Sequence, residues 1–368
     1  ATFIGKGKAA EFAEICKRGD VDTVIFDDEL SPGQTRNLEG IFDCKVLDRT
    51  ALILDIFAQR ARTREGKMQI EMAQLQHILP RLTRMWAHLS RQKGGIGMRG
   101  DGESQLEVDR RRIKERIARL RRELKEVKRV RTTQRQGRQR RQWPLVSIVG
   151  YTNAGKSTLL NKLTGSDVLA EDKLFATLDP TTRRLRLPTN QNALLSDTVG
   201  FIRNLPTELI KAFQSTLETV RDADLLLHVV DANDDFEAHL QTTRQVLEGL
   251  SANCIPVQLV FNKTDQADPM RLGMLKRLYP DAVFVSALNS GVARLQEHIR
   301  TFFEQRMKTV TIRLDYQHSQ RLSDIYEWSR VDEIDYREEG IQMTLTSLPG
   351  YLNRLRSHLA PNFTELPA

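Results

Sequence analysis

The sequence predicts an α/β protein in three parts, and three observations carry that prediction. From Leu145 onward, short apolar runs alternate with turn residues and helix-period segments, the pattern of a largely parallel sheet flanked by helices. Ahead of it, two stretches place apolar residues at alternating spacings of four and three, the mark of two long packed helices. After Glu304 the period changes again, to the short strands and helices of a small separate unit. The expected boundaries are 1–142, 143–306 and 307–368.

Residues 1–50 read as a small α/β unit. A helix over Ala9–Arg18 leads to a strand over 21–26, a turn at Ser31-Pro32-Gly33, a second helix, and a short strand over Cys44–Leu47. In the first long helix the seam is Met68, Met72, Leu75, Leu79, Leu82, Trp86 and Leu89. In the second it is Ile113, Ile117, Leu120, Leu124 and Val127. A loop between them lets the pair fold back as an antiparallel hairpin, and both seams are accounted for by core packing. Pro80 falls inside the first seam, where its missing N–H is expected to kink or break the helix.

The hairpin tip, Lys93-Gly94-Gly95-Ile96-Gly97-Met98-Arg99-Gly100-Asp101-Gly102-Glu103, holds five glycines within nine residues. Glycine lets a backbone come close to a partner. A flexible hinge explains the glycines alone, but less well the clustering of Lys93, Met98, Arg99 and Asp109-Arg110-Arg111-Arg112 around them. Gln134–Gln142 reads as a polar, basic linker closed by Trp143-Pro144, and the C-terminal unit reads as βαββα.

Charge is unevenly placed. The chain of 368 residues carries a net +8, yet Arg110–Arg141 alone holds 16 Lys/Arg against three acids, a net of +13, which leaves 8 − 13 = −5 for the remainder. Such a stretch points to a polyanionic partner. No apolar run reaches 18 residues, so no membrane span is expected. The three cysteines, Cys16, Cys44 and Cys254, are far apart and without metal-ligand spacing, which suits a reducing cytoplasm. The chain opens without a signal pattern or initiator methionine, so it reads as starting inside a longer product.

The chemistry lies in the middle part. The strand Leu145–Val149 runs into Gly150-Tyr151-Thr152-Asn153-Ala154-Gly155-Lys156-Ser157, with Thr158 continuing into an apolar helix. This is a phosphate-binding P-loop in its required context of strand before and helix after. Its N–H groups and helix N-terminus cradle a β-phosphate, Lys156 bridges β- and γ-phosphates, and the Ser157 hydroxyl binds Mg²⁺. Alone, the motif leaves ATPases, kinases and GTPases open.

Three later elements close that choice. Asp197-Thr198-Val199-Gly200 follows an apolar strand and offers an acid for the Mg²⁺ shell and a Gly200 N–H to sense the γ-phosphate. Asn262-Lys263-Thr264-Asp265 follows the next, and the Asp265 carboxylate accepts from guanine N1–H and N2, donors that adenine lacks. Ser286-Ala287-Leu288 follows the last and sets a backbone N–H toward guanine O6. Four elements in this order predict a Ras-like P-loop GTPase domain that uses GTP, yields GDP, and needs Mg²⁺. Thr177, in the run Phe175–Thr181, is the first choice for the Mg²⁺-binding threonine that detects the γ-phosphate, and Thr181 the second; spacing does not decide. Lys156, Thr177 and Gly200 are then the catalytic candidates.

Two positions tune the expectation. Ras-type enzymes carry a water-orienting glutamine after the switch glycine; here it is Phe201, which cannot hydrogen-bond water, so intrinsic hydrolysis is expected to be slow until a partner or ion completes the site. Asn153 occupies the place where monovalent-cation-dependent GTPases carry an asparagine that helps coordinate K⁺. An ordinary loop residue explains it equally well, and the sequence leaves both readings open.

These residues closely resemble the HflX GTPases: the P-loop, the run Leu174–Pro180, Asp197–Arg203, Leu54–Ala61, and above all the tip Gly94–Gly100 with Glu103, Leu106-Glu107 and Asp109–Arg111. The resemblance covers about Ile4 to Gln305, and the C-terminal unit suits the family with weaker motifs. It implies a cytoplasmic, ribosome-associated GTPase, monomeric when free, that binds the large ribosomal subunit and splits stalled ribosomes, notably in heat stress. It further implies that the tip reaches the peptidyl-transferase centre, with Gly94, Gly95, Gly97, Arg99, Gly100, Arg110, Arg111 and Arg112 at the rRNA. Family members begin with additional α/β residues before the position of Phe3, which implies an incomplete N-terminal unit here. Some also hydrolyse ATP, which Asp265 would not predict.

Two other classes compete. A nucleotide-gated RNA chaperone would bind large subunits without stimulated turnover. A membrane-associated regulatory GTPase would need one apolar face on the basic helix, but arginines lie on most of its faces.

Overall fold

A computed structural model of the chain describes residues 2–85, 105–141, 144–165, 181–186, 192–203, 214–359 and 363–366. The chain divides into two compact units, residues 1–130 with 204–215 and residues 131–203 with 216–368.

The first unit begins with α1 (Lys6–Arg18), β1 (Thr23–Ile25), α2 (Pro32–Phe42) and β2 (Lys45–Leu47). Ser31 starts α2 through a reciprocal cap: its Oγ accepts from the Gln34 N–H, and the Gln34 side chain accepts from the Ser31 N–H. The two strands pair in parallel, and Leu30, Leu38, Phe42, Val46 and Cys16 close a small core around them.

Three helices follow: α3 (Arg49–Arg60), α4 (Arg64–Met85) and α5 (Gln105–Arg141). The hairpin is antiparallel, and its register can be read from two ion pairs. Arg116 donates to both Glu71 carboxylate oxygens at 2.7 and 2.8 Å, and Arg64 lies 3.6 Å from Glu123. Seven residues back along α4 correspond to seven forward along α5. Met68 of the expected seam is buried and Met72, Leu75, Leu79 and Leu82 are half-buried, while Ile117 and Leu120 are buried on the facing helix. A second row on α4, Ile70, Ala73 and His77, is buried as well, and α4 packs on both α2 and α3. Trp86, Leu89 and the glycine-rich tip lie outside the described residues.

Two expectations need correction. Pro80 does not end α4, which runs on to Met85. The proline is exposed, and the next residue clamps the turn: Arg81 donates to the His77 carbonyl, the Leu30 carbonyl and Asp48 at 2.8, 2.9 and 2.6 Å. The supposed linker over Gln134–Gln142 is helical to Arg141. Its Arg and Gln residues are good helix formers, and its single glycine costs too little to stop a helix already propagating.

The second unit is built on β3 (Leu145–Gly150), α6 (Lys156–Thr164), β4 (Thr182–Arg186), β5 (Asn192–Asp197), α7 (Gln214–Arg221), β6 (Leu225–Asp231), α8 (Phe236–Gly249), β7 (Val257–Asn262), α9 (Pro269–Leu278), β8 (Val283–Phe284) and α10 (Val292–Glu304). The sheet order is β4-β5-β3-β6-β7-β8, parallel except for the edge strand β4. The continuous apolar runs of β3 and β6 are those of strands covered on both faces.

The C-terminal elements are β9 (Lys308–Leu314), a 3₁₀ turn (Tyr316–Arg321), α11 (Leu322–Trp328), β10 (Arg330–Arg337), β11 (Gly340–Ser347), α12 (Pro349–Leu359) and β12 (Phe363–Leu366). Their antiparallel sheet, β10-β11-β9-β12, has one strand more than expected, because β12 pairs with β9. Ile299 and Phe303 of α10 share one apolar core with Leu314, Trp328, Leu345 and Leu355. Among the described residues, no helix is long and apolar enough to cross a membrane.

Asp48 is the polar centre of the first unit. Only 2% exposed, it caps α3 through the Ala51 N–H at 2.8 Å and receives Arg81, with His77 Nε2 at 3.4 Å. Burial pushes its carboxyl up, but the His77 imidazole, the Ala51 N–H and the Arg81 charge outweigh that and hold it below its ordinary value. A carboxyl lowered on folding stabilises fully above its unfolded value of about 4, and that contribution is lost as pH falls through the folded value. Asp48→Ala is therefore expected to destabilise this unit by about 2–4 kcal/mol at pH 7, from a lost cap and an uncompensated guanidinium. The loss should shrink below pH 4. Amide exchange over residues 49–85 at pH 7 and pH 3 measures both, and equal protection in mutant and wild type refutes the role.

Candidate nucleotide-binding site

The P-loop shape follows from close approaches that only glycine permits. At Gly150 (φ +147°) a Cβ would lie 2.1 Å from the Val229 carbonyl oxygen of β6. At Gly155 (φ +87°), which starts α6, a Cβ would lie 2.2 Å from Asn262 Nδ2. Asn153 also adopts a left-handed conformation, φ +61°, which asparagine tolerates better than most residues. That gives it a backbone reason to be there in addition to the cation reading.

Around this loop the functional side chains converge at the carboxyl ends of the parallel strands, the usual ligand edge of such sheets. Lys156 is buried and donates from Nζ to the Tyr151 carbonyl at 2.8 Å. Burial pulls its ammonium down to about 8, with Asp197 opposing the shift. The Ser157 hydroxyl donates to Asp197 Oδ2 at 2.6 Å, and Thr158 is half-buried in the first turn of α6. Asp197 is buried at the end of β5, its other oxygen accepting from the Thr198 N–H at 2.9 Å. A Cβ on Gly200 would come within 2.7 Å of Thr152 Cα and 3.0 Å of Lys156 Nζ, so this backbone stands beside the ammonium. Phe201, 2% exposed, has its N–H on the Gly150 carbonyl at 3.1 Å and its own carbonyl on the Thr152 N–H at 2.8 Å.

The other half lies at the ends of β7 and β8. Asn262 donates from Nδ2 to the Ala154 carbonyl at 2.9 Å and accepts at Oδ1 from the Ala287 N–H at 3.0 Å. Lys263 (φ +58°) pairs with Asp231 at 2.8 Å. Asp265 is exposed and accepts from Asn289 Nδ2 at 3.2 Å. Ser286 is buried, its Oγ accepting from the Asn289 N–H at 3.2 Å, and Leu288 is 64% exposed beside it.

The structure thus brings together every nucleotide-contact candidate from Gly150 to Thr158 with Asp197, Gly200, Asn262, Lys263, Asp265, Ser286, Ala287 and Leu288. Thr177 lies outside the described residues, as do Gly94, Gly95, Gly97, Arg99 and Gly100. The alternative, Thr181, is described, and its carbonyl accepts from the Asp197 N–H at 3.0 Å. Arg110, Arg111 and Arg112 are exposed on α5 in the other unit. Sequence reasoning missed Asp231 and Asn289. Asp231 had a signal: like Asp197, it is an acid that ends an apolar strand. Asn289 had none.

The donor set fits a nucleoside polyphosphate with a hard divalent cation: glycines whose Cβ would fill the cradle, a buried ammonium short of negative charge, and a hydroxyl–carboxylate pair of oxygens.

Comparison with known proteins places the chain in a family. Residues 1–58 match a family described as GTP-binding GTPase N-terminal, residues 60–138 its GTP-binding GTPase middle region, and residues 145–263 a family described as 50S ribosome-binding GTPase. A crystal structure of a GTP-binding protein from Sulfolobus solfataricus in complex with GDP is similar at a TM-score of 0.45 and 26% identity, covering 81% of this chain and 85% of that one. GTPase HflX of Caldanaerobacter subterraneus subsp. tengcongensis is 45% identical over 361 residues, 98% of this chain and 83% of that protein. GTPase HflX of Escherichia coli K12 is 46% identical over 342 residues, 92% of this chain and 80% of that protein. With relatives this similar along nearly its whole length, the chain belongs to the HflX family of GTPases.

Proposed function

We propose that this GTPase binds the large ribosomal subunit through rRNA in the cytoplasm and splits stalled or stress-damaged ribosomes. The observation that carries the reading is the basic helix α5. It presents Arg110, Arg111 and Arg112 to solvent, and Arg110–Arg141 carries a net +13, a charge density suited to phosphates. The match to a family described as 50S ribosome-binding supports the choice of polyanion.

In this reading the backbone of Gly150–Thr158 cradles the phosphates and Lys156 meets the β- and γ-phosphates. Ser157, Asp197 and Thr177 hold Mg²⁺, which when bound offsets the charge on the phosphate oxygens. The Gly200 N–H senses the γ-phosphate. Asp265 selects guanine, and the Ser286–Leu288 backbone meets its O6. Turnover is slow alone, because Phe201 supplies no hydrogen bond to water, and large subunits accelerate it.

Three outcomes test this. First, Asp265→Asn loses a matched carboxylate for N1–H and N2 and should weaken GTP binding by about 2–4 kcal/mol, while xanthine nucleotide binding recovers. Equal GTP titrations of mutant and wild type sink the assignment. Second, Lys156 needs a proton to meet phosphate, and burial holds the free site near about 8. Raising pH from 7 to 8.5 should therefore weaken GDP about fourfold, with proton uptake on binding. Calorimetry in two buffers of different ionisation enthalpy measures it, and absence of uptake at pH 8.5 rejects the role.

The third outcome separates the tip from its flank. Deleting 94–102 should spare GTP binding, cost part of the affinity for large subunits, and remove most ribosome splitting seen by light scattering. Neutralising Arg110, Arg111 and Arg112 should weaken subunit binding and flatten its salt dependence. If the tip deletion splits ribosomes as fast as wild type, the tip is only a hinge. If subunits neither bind nor stimulate turnover, the ribosomal reading falls.

A further inference from the structure

Tyr151 makes contacts that phosphate binding does not require. Its main chain belongs to the P-loop, with the carbonyl on Lys156 Nζ at 2.8 Å and an isolated parallel bridge to Phe201. Its hydroxyl accepts from the Arg203 N–H at 3.2 Å, just beyond Gly200 and Phe201. Its ring stacks on His239, centroids 3.7 Å apart and planes within 12°. One residue therefore joins the phosphate loop, the segment Gly200–Arg203 and the first turn of α8.

The platform under the ring is itself held. Asp235 caps α8 through the Ala238 N–H at 3.4 Å. Arg271 of α9 donates to the Ala232 carbonyl at 2.7 Å and also to the Asp234 carbonyl, and so fixes the loop that leads into α8. Lys263 holds Asp231 at the start of that loop. Burial draws the His239 imidazole below its ordinary value, with Asp234, Asp235 and Asp231 opposing, so at neutral pH a flat uncharged ring faces the tyrosine. By contrast, Gly200–Arg203 forms no helix or strand beyond the bridge at Phe201, and its contacts to the P-loop include the two Phe201 backbone hydrogen bonds and the Tyr151 hydroxyl.

We propose that His239 is a positioning residue for GTP hydrolysis: by stacking on Tyr151 it holds Gly200–Arg203 against the P-loop and so sets where the Gly200 N–H stands relative to Lys156. The inference rests on the reading of Gly200 as the γ-phosphate sensor. A displacement of this backbone by a fraction of an ångström acts on the γ-phosphate alone, because the guanine half is built on Asn262, Asp265 and Ser286–Leu288. Loss of the stack therefore lowers turnover and GTP preference while leaving GDP binding in place. A merely structural role would weaken both nucleotides together or neither.

The test uses single-turnover GTP hydrolysis, with fluorescent GDP and a non-hydrolysable GTP analogue as binding probes, on the full chain. His239→Ala should slow hydrolysis by about tenfold or more, the scale expected for sub-ångström misplacement of a catalytic group. It should weaken the GTP analogue and leave GDP affinity within about twofold. His239→Phe restores a flat ring and should return hydrolysis to near wild type. Tyr151→Phe keeps the stack, loses only the Arg203 contact, and should fall between; it carries the test if His239→Ala does not fold. Wild-type or faster hydrolysis by His239→Ala, or a His239→Phe variant as slow as the alanine, overturns the proposal. Lys156→Ala in the same assay separates the two levels. If it hydrolyses GTP normally, the reading of the site has failed; if it is inactive while His239→Ala is unimpaired, only the positioning role has failed.

Discussion

The buried side-chain amide of Asn262 joins the two halves of the nucleotide site. Its NH₂ meets the P-loop at Ala154 and its oxygen meets the following loop at Ala287, so one planar group sets the distance between phosphate cradle and base pocket. Gly155 lies so close to that amide that a Cβ would overlap it. A buried amide with both ends engaged contributes modestly, but a truncated one would strand a carbonyl and an N–H at about 1–3 kcal/mol each. That asymmetry makes the position intolerant of change. It also ties the loop that carries Lys263 and Asp265 to the P-loop in one frame.

The electrostatics of the frame suit an anionic group. Lys156 is buried and its ammonium is pulled down by burial, with Asp197 opposing. Asp197 is meanwhile engaged by the Ser157 hydroxyl and the Thr198 N–H. A buried ammonium without a tight partner is unfavourable by itself. In the proposed reading, phosphate oxygens would offset that penalty on binding.

Legibility followed locality. The P-loop, Asp197–Gly200, Asn262–Asp265 and Ser286–Leu288 each lie within a few residues after an apolar strand, and the structure gathers all four because parallel strands end at one edge. The hairpin was legible for the same reason, since its heptad spacing is a property of each helix alone. What escaped was decided across the fold. Helix α4 continues past Pro80, and the Arg81 beside it reaches Leu30 and Asp48, which are remote in sequence. Strand β12 exists because β9 offers it an edge. The contact of Tyr151 with His239 spans the sheet connection, and neither residue type announces a partner. In the helix over 134–141, propensity was informative, but the density of charge read as linker.

Phe201 shows how a negative sequence observation becomes a structural constraint. At that position a polar side chain would be expected to reach toward the phosphate space and orient water. Here the side chain is buried in the protein, and the backbone on either side of it is hydrogen-bonded to Gly150 and Thr152. Exposing the ring would remove a large apolar surface from the core and, with the backbone following, would break both bonds. The segment is therefore anchored by the residue at the position where Ras-type enzymes carry a water-orienting glutamine. Next to it, the Gly200 backbone stands beside the Lys156 ammonium. In the proposed reading, chemistry there would depend on how accurately that backbone is held and on a group that a partner adds, since the side chain at 201 is buried.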